Sequence, residues 1–235
     1  MADIKFTDTE FRADIDFRLK CWYKEGCNLA KDGCEKVCPR YLEMNCLINT
    51  CGMKDATRYL KELVPKKSEI EAYKRLKEIK DNVVSFVENG KNLYITAPNV
   101  QTGKTSWSLK ILYKYFDEIW SGNGFRTRGY FVYVPEFLSK ARSFEYRDTA
   151  EFKKIDKVLK KADLVIWDDI TSIYLNQNDQ NLLNLYIDKR FMEDKANIFN
   201  GYKVDDLKPY IGDKLANRLK SNCEVIELKG ASRIK

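Results

Sequence analysis

Two short constellations in this sequence carry residue types that handle phosphate. Gly103-Lys104-Thr105 closes the stretch Pro98-Asn99-Val100-Gln101-Thr102-Gly103-Lys104-Thr105-Ser106, and Asp168-Asp169 ends an apolar run. A glycine-containing loop that opens a helix presents backbone N–H groups and a positive helix end to phosphates, while a lysine reaches the terminal ones. The Thr105 hydroxyl would then ligate Mg²⁺. Two carboxylates delivered by a buried strand complete such a site, with Asp168 supporting the metal and Asp169 polarising the attacking water. Measured against G-x-x-x-x-G-K-[ST], the first glycine is Pro98, and Gln101 stands where such loops often have another glycine. Pro98 has a fixed φ and no N–H, so it alters the loop's entry and leaves Gly103, Lys104 and Thr105 intact. The plain alternatives are a chance Gly-Lys-Thr opening a surface helix and a solvated strand end.

A third constellation is made of cysteines. Six of the seven lie between Cys21 and Cys51, and the chain has no histidine. The missing histidine removes Ser-His-Asp and Cys-His catalysis together with any His-containing zinc site. Clustered cysteines in a reducing compartment point to metal ahead of disulfides. Cys21, Cys27, Cys34 and Cys38 are the expected ligands of a tetrahedral Zn²⁺. Their irregular spacing leaves an iron–sulfur cluster open, and buried free thiols too. Cys46 and Cys51 follow Pro39 in a helical stretch and are set aside.

The elements that must position these groups show as periodicities. The composition, 44% hydrophobic and 33% charged over 235 residues, suits one α/β core with a smaller appendage. A module of residues 1–65 is expected first, then Pro65 to Ser68 as a break, with Ser68 placed to cap a helix. Ile70, Tyr73, Leu76, Ile79, Val83 and Val87 form one face of an amphipathic linking helix within 66–89. From 90 to 235, short strands at 92–96, 129–134, 163–167, 196–199 and 224–228 alternate with helices. That alternation implies a parallel sheet covered on both sides. The phosphate loop falls between the first strand and its helix, and Asp168-Asp169 closes the third strand.

The stretch from Gly90 to Arg233 resembles the ATPase domain of DnaC/DnaI-type replicative helicase loaders, especially phage or prophage versions. The matching pieces run from Asn92 to Trp107, from Leu164 to Ile170 and from Leu215 to Leu219. The resemblance implies an AAA+ P-loop fold that binds ATP and Mg²⁺, binds single-stranded DNA and delivers a ring helicase. It implies a truncated lid, since the chain ends soon after its last strand. It assigns Arg218 as an arginine finger reaching a neighbouring subunit of a homo-oligomer, and Asn200 as the polar sensor. It places the helicase contact in the cysteine-rich end. It also places a DNA grip between the second and third strands, where Lys140, Arg142, Phe144 and Tyr146 combine cations with rings. The alternative there is an ordinary amphipathic helix with Phe137, Leu138, Ala141 and Phe144 facing the core.

A net charge of +7 admits a polyanion partner without demanding one. No apolar run is long enough for a membrane span, and the first residues carry acids where a signal peptide carries bases. The expected location is the cytoplasm of a bacterium or of a phage-infected host. A nucleotide-binding adaptor without significant turnover is the competing reading. A small-molecule kinase is weaker, for want of an acceptor-binding lid.

Overall fold

The computed structural model describes residues 38–53, 56–61, 63–99, 101–119 and 125–230. At its centre lie strands β1 Asn92–Thr96, β2 Gly129–Tyr133, β3 Leu164–Asp168, β4 Ala196–Gly201 and β5 Glu224–Glu227. They pair in the order β2-β3-β4-β1-β5, all parallel. Every residue of β3 is buried, which is why it reads as an unbroken apolar run before its acid. Because β4 lies between β1 and β3, the loop leaving β1 and the end of β3 flank the carboxyl end of β4. That arrangement positions the site.

Helices cover both faces. On one lie α1 Pro39–Thr50, α2 Thr57–Leu60, α3 Ile70–Asp81, α4 Val83–Glu88 and α5 Lys104–Ile119. The rest of the chain supplies α6 Val134–Ala141, α7 Phe144–Arg147, α8 Ala150–Lys161, α9 Gln177–Met192, α10 Lys208–Ile211 and α11 Asp213–Asn222. Alternate strand residues serve the two layers. Leu93 and Ile95 pack with Leu76, Leu109 and Phe116, whereas Tyr94, Trp167 and Phe199 pack with Leu138, Leu183 and Leu215. Each fully buried large apolar side chain contributes roughly 1.5–3 kcal/mol. The layered parallel α/β architecture is the one the alternation of elements implied.

The differences from expectation are local. The amphipathic stretch after residue 68 is two helices joined at Asn82, where φ −112° and ψ 30° leave the helical region. Both keep one buried face, carried by Tyr73, Leu76 and Ile79 and then by Val83, Phe86 and Val87. Ser68 is not the cap; the Glu69 carboxylate accepts from the Lys66 N–H at 3.0 Å instead. Pro135 sits in the first turn of α6, where its missing N–H is harmless. Ser143 and Thr149 cap α7 and α8 by accepting from Tyr146 N–H and Phe152 N–H. Helix α9 starts at Gln177 because Asn176 accepts from Asp179 N–H at 2.9 Å.

Residues after Cys38 pack on this core. Met44, Leu47, Cys51 and Ala56 join the cluster that contains α5. The Phe131 N–H donates to the Cys51 carbonyl at 2.7 Å and so closes part of the outer edge of β2. Gly52 (φ 81°) makes this approach possible, since a Cβ there would lie 2.5 Å from the Phe131 carbonyl oxygen. Among the described residues, no helix is long and apolar enough to cross a membrane.

Candidate functional site

The loop after β1 passes through two residues of positive φ. Gln101 has φ 58° and Gly103 φ 106°. The left-handed φ at Gln101 is the reason a glycine suits that position, and glutamine carries a steric cost there. Trp107 N–H donates to the Gly103 carbonyl at 2.9 Å, so the helical ladder of α5 begins at the loop and its positive end faces it. Asn99 Nδ2 donates to the Gly230 carbonyl at 3.1 Å, tying the loop to the chain beyond β5. Pro98 and Asn99 are exposed, Thr102 is buried, Ser106 lies half-buried in the first turn of α5, and Val100 is outside the described residues.

Three elements converge on one carboxylate. Thr105 Oγ1, from α5, donates to Asp168 at 3.0 and 3.1 Å to its two oxygens. Asn200 Nδ2, from β4, donates to Asp168 Oδ1. Ser108 Oγ in turn donates to Asn200 Oδ1 at 2.9 Å. Asp168 is only 4% exposed. Burial pushes its carboxyl up from 3.8 to about 6, with the charge of Asp169 acting the same way and Asn200, Thr105 and Lys104 opposing. A buried carboxylate beside a hydroxyl oxygen is a pair of hard donors suited to Mg²⁺. Burial lowers the pKa of Lys104, while Asp169 and Asp168 raise it. Asp169 adopts φ 55°, a left-handed conformation uncommon outside glycine. It is pinned by Ile170 N–H on the Asn200 carbonyl at 3.0 Å, and by Ser172 Oγ and N–H on its own carbonyl. A groove of about 1110 Å³ opens at Thr105, Asp168 and Asp169 and continues past Tyr133 to Lys140 and Tyr146.

No family profile and no curated protein matches the sequence. Solved structures do. The DnaC helicase loader superposes with a TM-score of 0.61 at 21% identity, over 74% of this chain and 100% of that one. DnaI gives 0.59 at 17% identity, over 78% of this chain and 96% of DnaI. The chain has the AAA+ P-loop fold of the DnaC and DnaI helicase loaders. The replication initiator DnaA, bound to AMPPCP and single-stranded DNA, gives 0.55 at 18% identity over 73% of this chain and 50% of DnaA. The match thus spans about half the length of that initiator.

On this core the structure brings together Lys104, Thr105, Asp168, Asp169 and Asn200. Of the two asparagines in β4, Asn197 lies toward the amino end and accepts from Trp167 Nε1 and Arg190 Nε, so Asn200 alone meets the acid. Ser108 was not singled out from the sequence; a serine on the buried face of an amphipathic helix was its signal. Arg218 is not brought to its own chain's site. It lies on α11 in an ion pair with Asp188 of α9 at 2.9 Å, sharing that acid with Lys214 at 3.0 Å.

The expected DNA residues divide. Lys140 and Tyr146 line the groove, with Lys140 paired to Glu136 at 2.8 Å and Tyr146 Oη donating to Glu151 at 3.0 Å. Arg142 is held by both oxygens of the buried Asp179 at 3.2 and 2.7 Å, the acid that also caps α9. Phe144 is 80% exposed. The amphipathic pattern therefore holds for Phe137, Leu138 and Ala141, and stops before Phe144.

Among the expected zinc ligands, Cys21, Cys27 and Cys34 lie outside the described residues, and Cys38 is half-buried ahead of α1. Cys46 and Cys51 are buried, and burial raises both thiols, Cys51 to about 11. Among the described residues, no group of three or more His, Cys, Asp or Glu is arranged to hold a metal.

Proposed function

We propose that this chain is an ATP-binding loader of a replicative DNA helicase, working in the cytoplasm, that binds single-stranded DNA and uses ATP hydrolysis as its switch. The observation that carries the reading is the Thr105–Asp168–Asn200–Ser108 hydrogen-bonded set, at the end of the phosphate loop, in a fold shared with the whole DnaC chain. Lys104 and the N-terminus of α5 would hold the phosphates. Thr105 and Asp168 would hold Mg²⁺, whose charge would neutralise the phosphates when bound. Asp169, fixed in its left-handed conformation, would take up the proton of the attacking water. Asn200 would hold Asp168 in place and report the state of the terminal phosphate. Arg218 would serve the neighbouring copy's site in an oligomer. Lys140, Arg142, Phe144 and Tyr146 are the candidates for DNA contact, and the cysteine-rich front end is the candidate zinc module that meets the helicase.

An adaptor that binds nucleotide without turnover is the second reading. It is favoured by Pro98, which removes one backbone donor from the loop, and by the steric cost of Gln101 at φ 58°. ATP hydrolysis measured with and without single-stranded DNA, together with capture of the cognate helicase, separates the two. A loader captures the helicase and shows stimulated hydrolysis. Capture without hydrolysis favours the adaptor, and failure to capture the helicase in either nucleotide state sinks the loader.

A further inference from the structure

The edge of the sheet opposite the nucleotide site gathers cations. Parallel strands that begin level with one another set the residues preceding them in a row. In sheet order, the residues just before β2, β3, β4 and β1 are Arg128, Asp163, Lys195 and Lys91. Backbone hydrogen bonds hold these starts together. Asp163 N–H donates to the Arg128 carbonyl at 2.8 Å, Ala196 N–H to the Asp163 carbonyl at 3.1 Å and Asn197 N–H to the Lys91 carbonyl at 3.3 Å. Arg126 and Lys161, each two residues ahead of Arg128 and Asp163, are exposed. Three cations share the one carboxylate of the row: Arg128 donates to Asp163, Lys195 lies at 3.5 Å and Arg126, 62% exposed, at 3.9 Å. Lys91 and Lys161 are in no ion pair among the described residues.

The fold alone does not call for this row. A β-sheet has little net dipole, and a helix end favours cations only within its last turn. That accounts for Lys161 in the last turn of α8, but Lys91, Arg126, Arg128 and Lys195 lie beyond their helices. Acids at the neighbouring helix ends are matched inside those helices, Glu118 by Lys114, Asp156 by Lys160 and Glu193 by Lys189. Five cations then stand against Asp163, Asp194 and Glu88. The groove at the carboxyl end has the reverse balance, with Lys140 and Lys154 against Glu136, Glu151, Asp168 and Asp169. At about 4.8 Å between strands the row is roughly 14 Å long, or about four base steps of a duplex at about 3.4 Å each. Sites for single strands add ring stacking to their cations. This edge offers little of that: Tyr115, under Arg128, is buried, and Phe125 is 39% exposed. A duplex backbone needs the cations alone.

We infer that the amino edge of the sheet, through Lys91, Arg126, Arg128, Lys161 and Lys195, holds the phosphate backbone of duplex DNA. This contact lies at the other end of the strands from the single-strand contact proposed above, and does not rest on it. A chain carrying both sits where a duplex meets a single strand. Lys91, Arg126 and Lys161 are the residues to change, because they are exposed and stand apart from the nucleotide site and the groove. Fluorescence anisotropy of a labelled duplex oligonucleotide, titrated with the full chain over a range of salt concentrations, reads the contact. The parent binds, with log K falling as log salt rises. Changing the three residues together to glutamine should flatten that slope by about two to three and weaken binding at low salt by roughly tenfold or more. The variant should bind a fluorescent ATP analogue and keep its melting midpoint as the parent does, which separates lost contacts from lost folding. A parent that does not bind duplex, or a folded variant with parental affinity and slope, overturns the duplex contact. An equal loss for a single-stranded oligonucleotide overturns the choice of duplex. Duplex binding kept while binding to phosphatidylglycerol vesicles is lost overturns it in favour of a membrane surface.

Discussion

Replacing Asp168 by asparagine is expected to stabilise the ligand-free protein while abolishing Mg²⁺-dependent nucleotide binding. In the folded chain burial pushes this carboxyl from 3.8 to about 6. Between those values the unfolded chain gives up its proton first, so this group makes stability fall as pH rises, and above about pH 6 the full cost is present. At 1.36 kcal/mol per pH unit, the gap amounts to about 3 kcal/mol at most. An asparagine at 168 keeps an acceptor for Asn200 Nδ2 and supplies a donor to the Thr105 hydroxyl. Some of the gain is lost to imperfect alignment, leaving about 1–2 kcal/mol, or roughly 2–8 °C in Tm for a chain of this size. Urea melts without metal or nucleotide from pH 4 to 8 test this. Asp168→Asn should be the more stable protein at pH 7.5, with the difference closing as pH approaches 4. A difference of opposite sign, or one independent of pH, would refute a destabilising buried carboxylate. Retained Mg²⁺-dependent binding of a fluorescent ATP analogue would refute its role at the site.

Lys104→Ala should lose ATP binding and keep its circular dichroism spectrum and melting midpoint, because the half-buried amine offers charge to phosphate and little packing. Arg218→Ala should bind ATP normally and lose DNA- or helicase-stimulated hydrolysis. Mixing it with Asp169→Asn should restore part of the activity, since one mixed interface then holds both an intact acid and an intact arginine; unchanged turnover in Arg218→Ala would refute the finger. The purified protein should carry about one zinc per chain, and changing Cys34 and Cys38 together to serine should release it. Elemental analysis finding no metal, or iron, would count against the zinc module. Arg190→Met should destabilise by about 1–3 kcal/mol, because it takes away the donors that the buried guanidinium supplies to Asn197 Oδ1 and to the carbonyls of Leu159, Ala162 and Ala196. A urea midpoint equal to the parent's would contradict that.

The parts of the fold that were legible in the sequence are those whose signals are local. A buried parallel strand announces itself by an unbroken apolar run, so β3 and its terminal acids could be read directly, as could the helix opened by Gly103. Pairing Thr105 with Asp168 across 63 residues then needed only the rule that parallel strands end on the same side. What could not be read depends on partners distant in sequence. The partner of Arg142 is one such case, since nothing near it signals Asp179, 37 residues on, with which it forms an ion pair. The break at Asn82 was hidden because both halves of the amphipathic stretch keep the same apolar face.

Asn200 shows how register decides what composition leaves open. Two asparagines lie three positions apart in β4, and an odd separation in a strand turns their side chains to opposite faces. Asn197 therefore meets Trp167 and Arg190, while Asn200 meets Ser108 of the phosphate-loop helix. Only the pairing of Ile95 with Asn200, and of Trp167 with Phe199, brings the second asparagine level with the end of β3, where Asp168 stands. A shift of one residue in that register would exchange the two faces and leave Asp168 without its amide donor. The same carboxyl edge carries two of the three left-handed non-glycine positions among the described residues, Gln101 and Asp169, on the loops leaving β1 and β3. The cost of those left-handed residues is borne where the neighbouring backbone fixes them, as the Ile170 to Asn200 hydrogen bond does for the turn after Asp169. At that end of the sheet, binding of phosphate and a cation would relieve the charge of the buried Asp168 carboxylate.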